Sequence, residues 1–201
     1  MDLMKVRLEL DSIVMMVTKE AEQWQQTIQS GRMAMKQVKN ITLQIFDTEN
    51  QLNARDTPTR RYLQVREKRI NNLFERLQQP LWMMNQILDT LARIRDNTDR
   101  MYHRLALWID DEYVAKQKIA NLQTPQLLEV LSFLSCRYSA EWEIKEVVVQ
   151  SLDHINNTNE LDFLVEAWST CRHADGYDFK RLLGDFYDNI GRRSRFLSEA
   201  S

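Results

Sequence analysis

Glycine and proline are scarce in this chain, with four and three in 201 residues, and each shortage excludes something. Glycine supplies the positive-φ turns and close backbone approaches from which phosphate loops and catalytic turns are built. The G-x-G-x-x-G, G-x4-G-K-[ST] and G-x-S-x-G patterns are absent. The common phosphate cradles and the nucleophile elbow go with them. Two cysteines, Cys136 and Cys171, are too few for a disulfide framework and fit a reducing compartment. No apolar run approaches the roughly 18 residues that span a bilayer. The opening residues, Met1 to Lys5, lack the apolar stretch of a secretory leader. These readings predict a cytosolic (cytoplasmic) or nuclear protein with no membrane partner.

What the chain has is helical period. Leu10, Val14, Val17, Ala21, Trp24, Ile28, Gly31, Met35 and Val38 recur at alternating steps of four and three. A second ladder runs from Ile70, Leu73 and Leu77 through Pro80, Met84, Ile87, Leu91, Ile94, Thr98, Met101 and Leu105 to Trp108. Such stripes are the seams of long helices packed on other helices. The fold class expected is all-α: a long antiparallel two-helix coiled-coil hairpin over 1–110, then a connector over 111–124. A C-terminal unit of three shorter helices over 125–191 and a short basic tail over 192–201 complete it.

Local signals set the boundaries. The first helix should span 4–53, with Gly31 on its seam at a cost of about 1 kcal/mol against Ala. Thr57 before Pro58 reads as a cap and first helical residue, so the second helix should start there. Pro80 lies on its seam, where an interior proline costs about 3 kcal/mol. The apolar period continues in phase beyond it, which predicts a kink and not a boundary. Thr124-Pro125 repeats the cap signal and predicts a helix over 125–154. Asn157 with Glu160 reads as a capping box for a helix over 159–171. Gly191 is placed to close a last helix over 177–190.

The formal net charge of −2 hides a gradient: −1 over 1–54, +5 over 55–104 and −6 over 105–201. A basic middle helix could meet nucleic acid through Arg60, Arg61, Arg66 and Arg69. No aromatic-interleaved patch or zinc-finger spacing supports this, and arginines solvating an outer helix face explain the charge. Cys171 and His173 form one weak pair where zinc sites present two, so no metal site is expected. No acid–base or nucleophile constellation stands out. No cofactor and no catalytic residue is expected, and the chain reads as a non-enzyme.

Three short motifs carry two readings each. Thr57-Pro58-Thr59-Arg60 fits the pattern of proline-directed kinases, making Thr57 a candidate phosphosite, and equally fits an unmodified cap. Arg181-Leu182-Leu183 resembles a cyclin-docking motif or is half-buried core. Arg192, Arg193 and Arg195 form a basic tail or simply follow a helix C-terminus. The five tryptophans are packing residues by default, and any left exposed would be an interface anchor. Position alone does not decide this for Trp82, which stands off the seam beside Pro80.

Tyr138, Glu141, Lys145, Val148, Leu152, His154 and Trp168 stand as Y-x2-E-x3-K-x2-V-x3-L-x-H-x13-W. This resembles the C-terminal half of the cyclin-dependent-kinase-2-interacting protein family. Ala21, Trp24 and Ile28, then Asn40, Ile41 and Leu43, resemble that family's N-terminal helix. The resemblance covers about half the chain by motif. On their own chemistry these residues are scaffolding: Glu141 and Lys145 are an i,i+4 pair, His154 can meet free carbonyls at a helix end, and the others pack.

The resemblance implies a non-enzymatic helical adaptor in a hetero-oligomer. Its partners would be a second small helical subunit, a Cdc48-like AAA ATPase and a cyclin-dependent kinase. Its settings would be DNA replication, the DNA damage checkpoint, the cell cycle and large ribosomal subunit maturation (ribosome biogenesis). The chain lacks an extended tail before its first helix, so regulatory sites of such a tail do not carry over. The seam of Trp24, Ile28 and Leu91 is expected to extend onto a partner. The alternative is a self-associating coiled-coil structural or tethering protein.

Overall fold

A computed structural model describes residues 3–53 and 59–193. Thr57, Pro58 and Arg195 lie outside the described residues, and so does the candidate phosphosite with them. The order of elements is α1 (Leu3–Asn53), α2 (Arg60–Ala106), α3 (Glu112–Ala115), β1 (Lys118–Ile119), β2 (Leu122–Gln123), α4 (Thr124–Ser151), a 3-10 turn (Leu152–His154), α5 (Thr158–Ser169) and α6 (Tyr177–Asn189). The all-α class holds, with two long helices packed together and shorter ones following.

The local signals translate into particular hydrogen bonds. The cap beside α2 is Thr59, whose hydroxyl accepts from the Tyr62 amide at 3.4 Å, so this helix starts later than the Thr57-Pro58 pair suggested. It runs unbroken through Pro80 and ends at Ala106, sooner than expected. The connector is more ordered than its polar sequence suggested. Asp111 caps α3 by accepting from the Tyr113 amide at 2.9 Å. A two-strand antiparallel hairpin follows, pairing Lys118 with Gln123 and Ile119 with Leu122. Asn157 caps α5 through the Glu160 amide at 2.9 Å. Glu160 reaches back to the Asn156 amide at 2.8 Å, one residue earlier than a simple capping box would have it. Gly191, at φ +68°, closes α6. Its amide meets the Asp188 carbonyl and the Arg192 amide meets the Tyr187 carbonyl, the bond pair of a Schellman motif.

All nine residues of the first seam are buried. Burial on α1 is wider than that ladder. Val6, Ile13, Glu20, Thr27, Ala34, Ile41 and Thr48 form a further column, one residue in seven, and each is buried. Three of its members are polar, which hid the column from an apolar count. The threonines fit because their hydroxyls bond back to carbonyls one turn earlier, Thr27 to Gln23 at 2.6 Å and Thr48 to Gln44 at 2.7 Å. A helix buried over so broad a face is covered by more than one neighbour.

The chain forms two compact units, each assembled from segments far apart in sequence. The first draws on the described parts of Met1–Thr27, Thr90–Glu143 and Cys171–Ser201; the second on Ile28–Asp89 and Ile144–Thr170. The reason is that the C-terminal helices pack on the long helices. In the first unit Trp24 of α1 stacks on Tyr138 of α4, ring centroids 4.2 Å apart, and Phe179 of α6 lies 6.0 Å from Tyr138. In the second unit the Trp168 ring of α5 lies against the backbone of α1 at Gly31. The basic groups of α2 in the first unit meet acidic groups of α1, Arg104 with Glu9 at 2.6 Å and Arg93 with Glu20 at 3.4 Å.

Candidate interaction surfaces

Six of the seven motif residues, Tyr138, Glu141, Lys145, Val148, Leu152 and Trp168, are buried, and His154 is exposed on its 3-10 turn. The two charged ones need an account, since an ionised side chain is rarely buried without partners. In the first unit, Glu141 accepts from the amides of His173 at 2.8 Å and Ala174 at 3.3 Å. Its carboxylate orders the turn that leads into α6. In the second unit, the Lys145 ammonium donates to the carbonyls of Ala167, Trp168 and Thr170 at 3.0, 2.8 and 3.2 Å. These are the carbonyls at the C-terminal end of α5, where a cation is favoured by both hydrogen bonding and the helix dipole. The same ammonium stands 5.6 Å from the Trp168 ring centroid. So the two residues read as an i,i+4 pair each hold a different stretch of backbone.

Trp168 explains Gly31. A Cβ on Gly31 would fall 2.1 Å from Cζ2 of the indole and 2.5 Å from its Nε1. The indole N–H faces the Ile28 carbonyl at 3.5 Å. The glycine that breaks the apolar ladder is the slot that admits the tryptophan.

The candidate partner seam is corrected by burial. Trp24, Ile28 and Leu91 are at most 2% exposed, so their side chains present nothing to a second chain. The cyclin-docking reading meets the same obstacle, because Leu183 is core in α6. Among the described residues no three His, Cys, Asp or Glu side chains gather to hold a metal. No described helix is long and apolar enough to cross a membrane.

Outward-facing apolar groups lie elsewhere. In the second unit, Trp82 is 58% exposed on α2, one position where sequence left the choice open. It sits within Leu77–Leu88, a run without a charged residue between Arg76 and Asp89. Gln78, Gln79, Asn85 and Gln86, one turn to either side, are exposed with it. A groove of about 550 Å3 in the same unit is lined by Gln37, Asn40, Ile41 and Gln44 of α1 with Arg76, Gln79 and Pro80 of α2. In the first unit, Leu8, Met15 and Met16 of α1 line a groove of about 650 Å3 with Tyr187, Arg192 and Arg193. Flexible thioethers suit an adaptable contact. Comparison with known proteins finds no family model and no curated protein that matches this chain.

Proposed function

We propose that this chain is a non-enzymatic helical subunit of a multiprotein complex, working by protein–protein recognition. The observation that carries the reading is Trp82, a solvent-facing tryptophan on an uncharged stretch of a long helix. Tryptophan is the residue most enriched among interface anchors, and charge is depleted at interface centres. Its burial by a partner would remove apolar area from water at about 25 cal/mol per Å2. The setting implied by the resemblance belongs to this proposal: a hetero-oligomer with a second small helical subunit and a Cdc48-like AAA ATPase, acting in replication, checkpoint signalling or large-subunit ribosome maturation. Self-association through the two seams has less to support it, since most of those residues are buried.

The test is quantitative mass spectrometry of what co-purifies with the chain at native abundance, wild type against Trp82→Ser. The expected result is a stoichiometric ATPase and small helical protein with the wild type and their loss with the variant. Recovery of self-copies or cytoskeletal chains alone refutes the reading. An exposed side chain carries little folding energy, so an unchanged melting temperature shows that a loss is not unfolding.

A further inference from the structure

In the second unit a groove of about 420 Å3 runs along the C-terminal half of α4, the 3-10 turn and α5. Val147, Ile155, Phe163 and Leu164 supply its apolar lining. Val147 and Phe163 stand 60% and 71% exposed. These are large apolar groups on neighbouring helices with the space between them open.

The segment that forms this groove is acidic in sequence. Between Lys145 and Arg172 the sequence carries Glu146, Asp153, Glu160, Asp162 and Glu166 and no Lys or Arg. Lys145 is itself buried under the α5 carbonyls. Lys39 of α1 pairs with Asp162 at 2.7 Å. Glu160 lines the groove, and Asp153, Glu160 and Glu166 are all exposed.

We infer that this groove is a docking site for a basic amphipathic helix of a protein partner. Two helices side by side present a channel that takes the side-chain ridge of a third. The apolar floor asks for Leu, Ile or Met at positions i, i+3 or i+4 and i+7 of the incoming helix. The carboxylates ask for Lys or Arg on its flanks, and repel an acidic segment. This face is separate from the Trp82 surface, so either assignment stands or falls without the other.

The probe is a synthetic amphipathic helix of about five turns, with Leu on one face and Lys and Arg on the other. It is titrated into the isotope-labelled full chain and followed by NMR and by fluorescence anisotropy. Amide shifts should cluster at Val147, Ile155 and Phe163. Val147→Ser with Phe163→Ser should weaken binding by about tenfold or more, and added salt should weaken it further. Both side chains are exposed, so a melting temperature equal to wild type confirms that the variant is folded. Equal binding of a scrambled peptide of the same composition overturns the inference. So does equal binding of the same pattern with Glu for Lys and Arg, or shifts that map elsewhere. A concentration-dependent dimer that seats a second copy in the groove overturns it as well.

Discussion

Gly31→Ala sets two physical effects against each other, and the structure decides the sign. Helix propensity alone favours the substitution, because Ala is better than Gly by about 1 kcal/mol in a helix interior. The new methyl, however, would meet Trp168 Cζ2 at 2.1 Å, Cε2 at 2.4 Å and Nε1 at 2.5 Å. Carbon atoms rest at about 3.5–4.0 Å, so the ring would have to retreat by more than about 1 Å. It has nowhere to go, being wholly buried, with the Ile28 carbonyl on its N–H and the Lys145 ammonium near its face. Overpacking of this kind costs about 1–3 kcal/mol, and three overlapping ring atoms put this case at the upper end. The expected net is a destabilisation of roughly 2 kcal/mol after the propensity gain is subtracted. Denaturant titration followed by tryptophan fluorescence and circular dichroism measures it. Gly184→Ala in α6 is the control, because nothing lies within 4 Å of its added Cβ. It should stabilise by up to about 1 kcal/mol. Trp168→Phe removes the three contacted atoms, so the double variant should recover part of the loss, a favourable coupling of about 1 kcal/mol. If Gly31→Ala and Gly184→Ala stabilise alike, the packing of Trp168 on Gly31 is refuted.

Three further outcomes follow from the buried polar groups and the seams. Lys145→Met takes three hydrogen bonds from the end of α5 and should destabilise by about 3 kcal/mol, since each deprived buried acceptor costs about 1–3; chemical denaturation reads this, and a change under about 0.5 kcal/mol counts against the capping role. Burial, then the nearby Tyr187 and Glu20, push the Tyr138 hydroxyl well above its usual pKa of 10.0. A raised folded pKa means that the contribution to stability is intact below pH 10 and lost above it, by about 1.4 kcal/mol per pH unit. Tyr138→Phe should flatten that alkaline loss, and it should cost little at pH 7 because the hydroxyl has no hydrogen-bond partner among the described residues. Leu91→Asp places a charge at a wholly buried position and should lose more than about 3 kcal/mol. Its thermal melt should therefore collapse before any partner is added, whereas a folded variant deficient only in assembly would restore the seam to the surface.

The periods and punctuation of the chain determined much of this fold. A stripe every three and four residues defines a helix face whatever lies opposite, so both ladders appear in the structure largely as they stand in sequence. Asn157, Glu160 and Gly191 act through bonds spanning only a few residues, and their effects were legible for that reason. Tertiary structure decided what covers each face. The column from Val6 to Thr48 is core because neighbours enclose it, although Glu20 and Thr27 give it no apolar mark. Glu141 and Lys145 are surface-like by type, and only the turns brought against them by folding make them internal. The same limit governs Trp24 and Trp82, both aromatic residues on long helices, one stacked on Tyr138 and the other in solvent. Sequence fixes which residues share a helix face, but exposure depends on contacts between segments far apart in the chain, and those arise only when the helices pack.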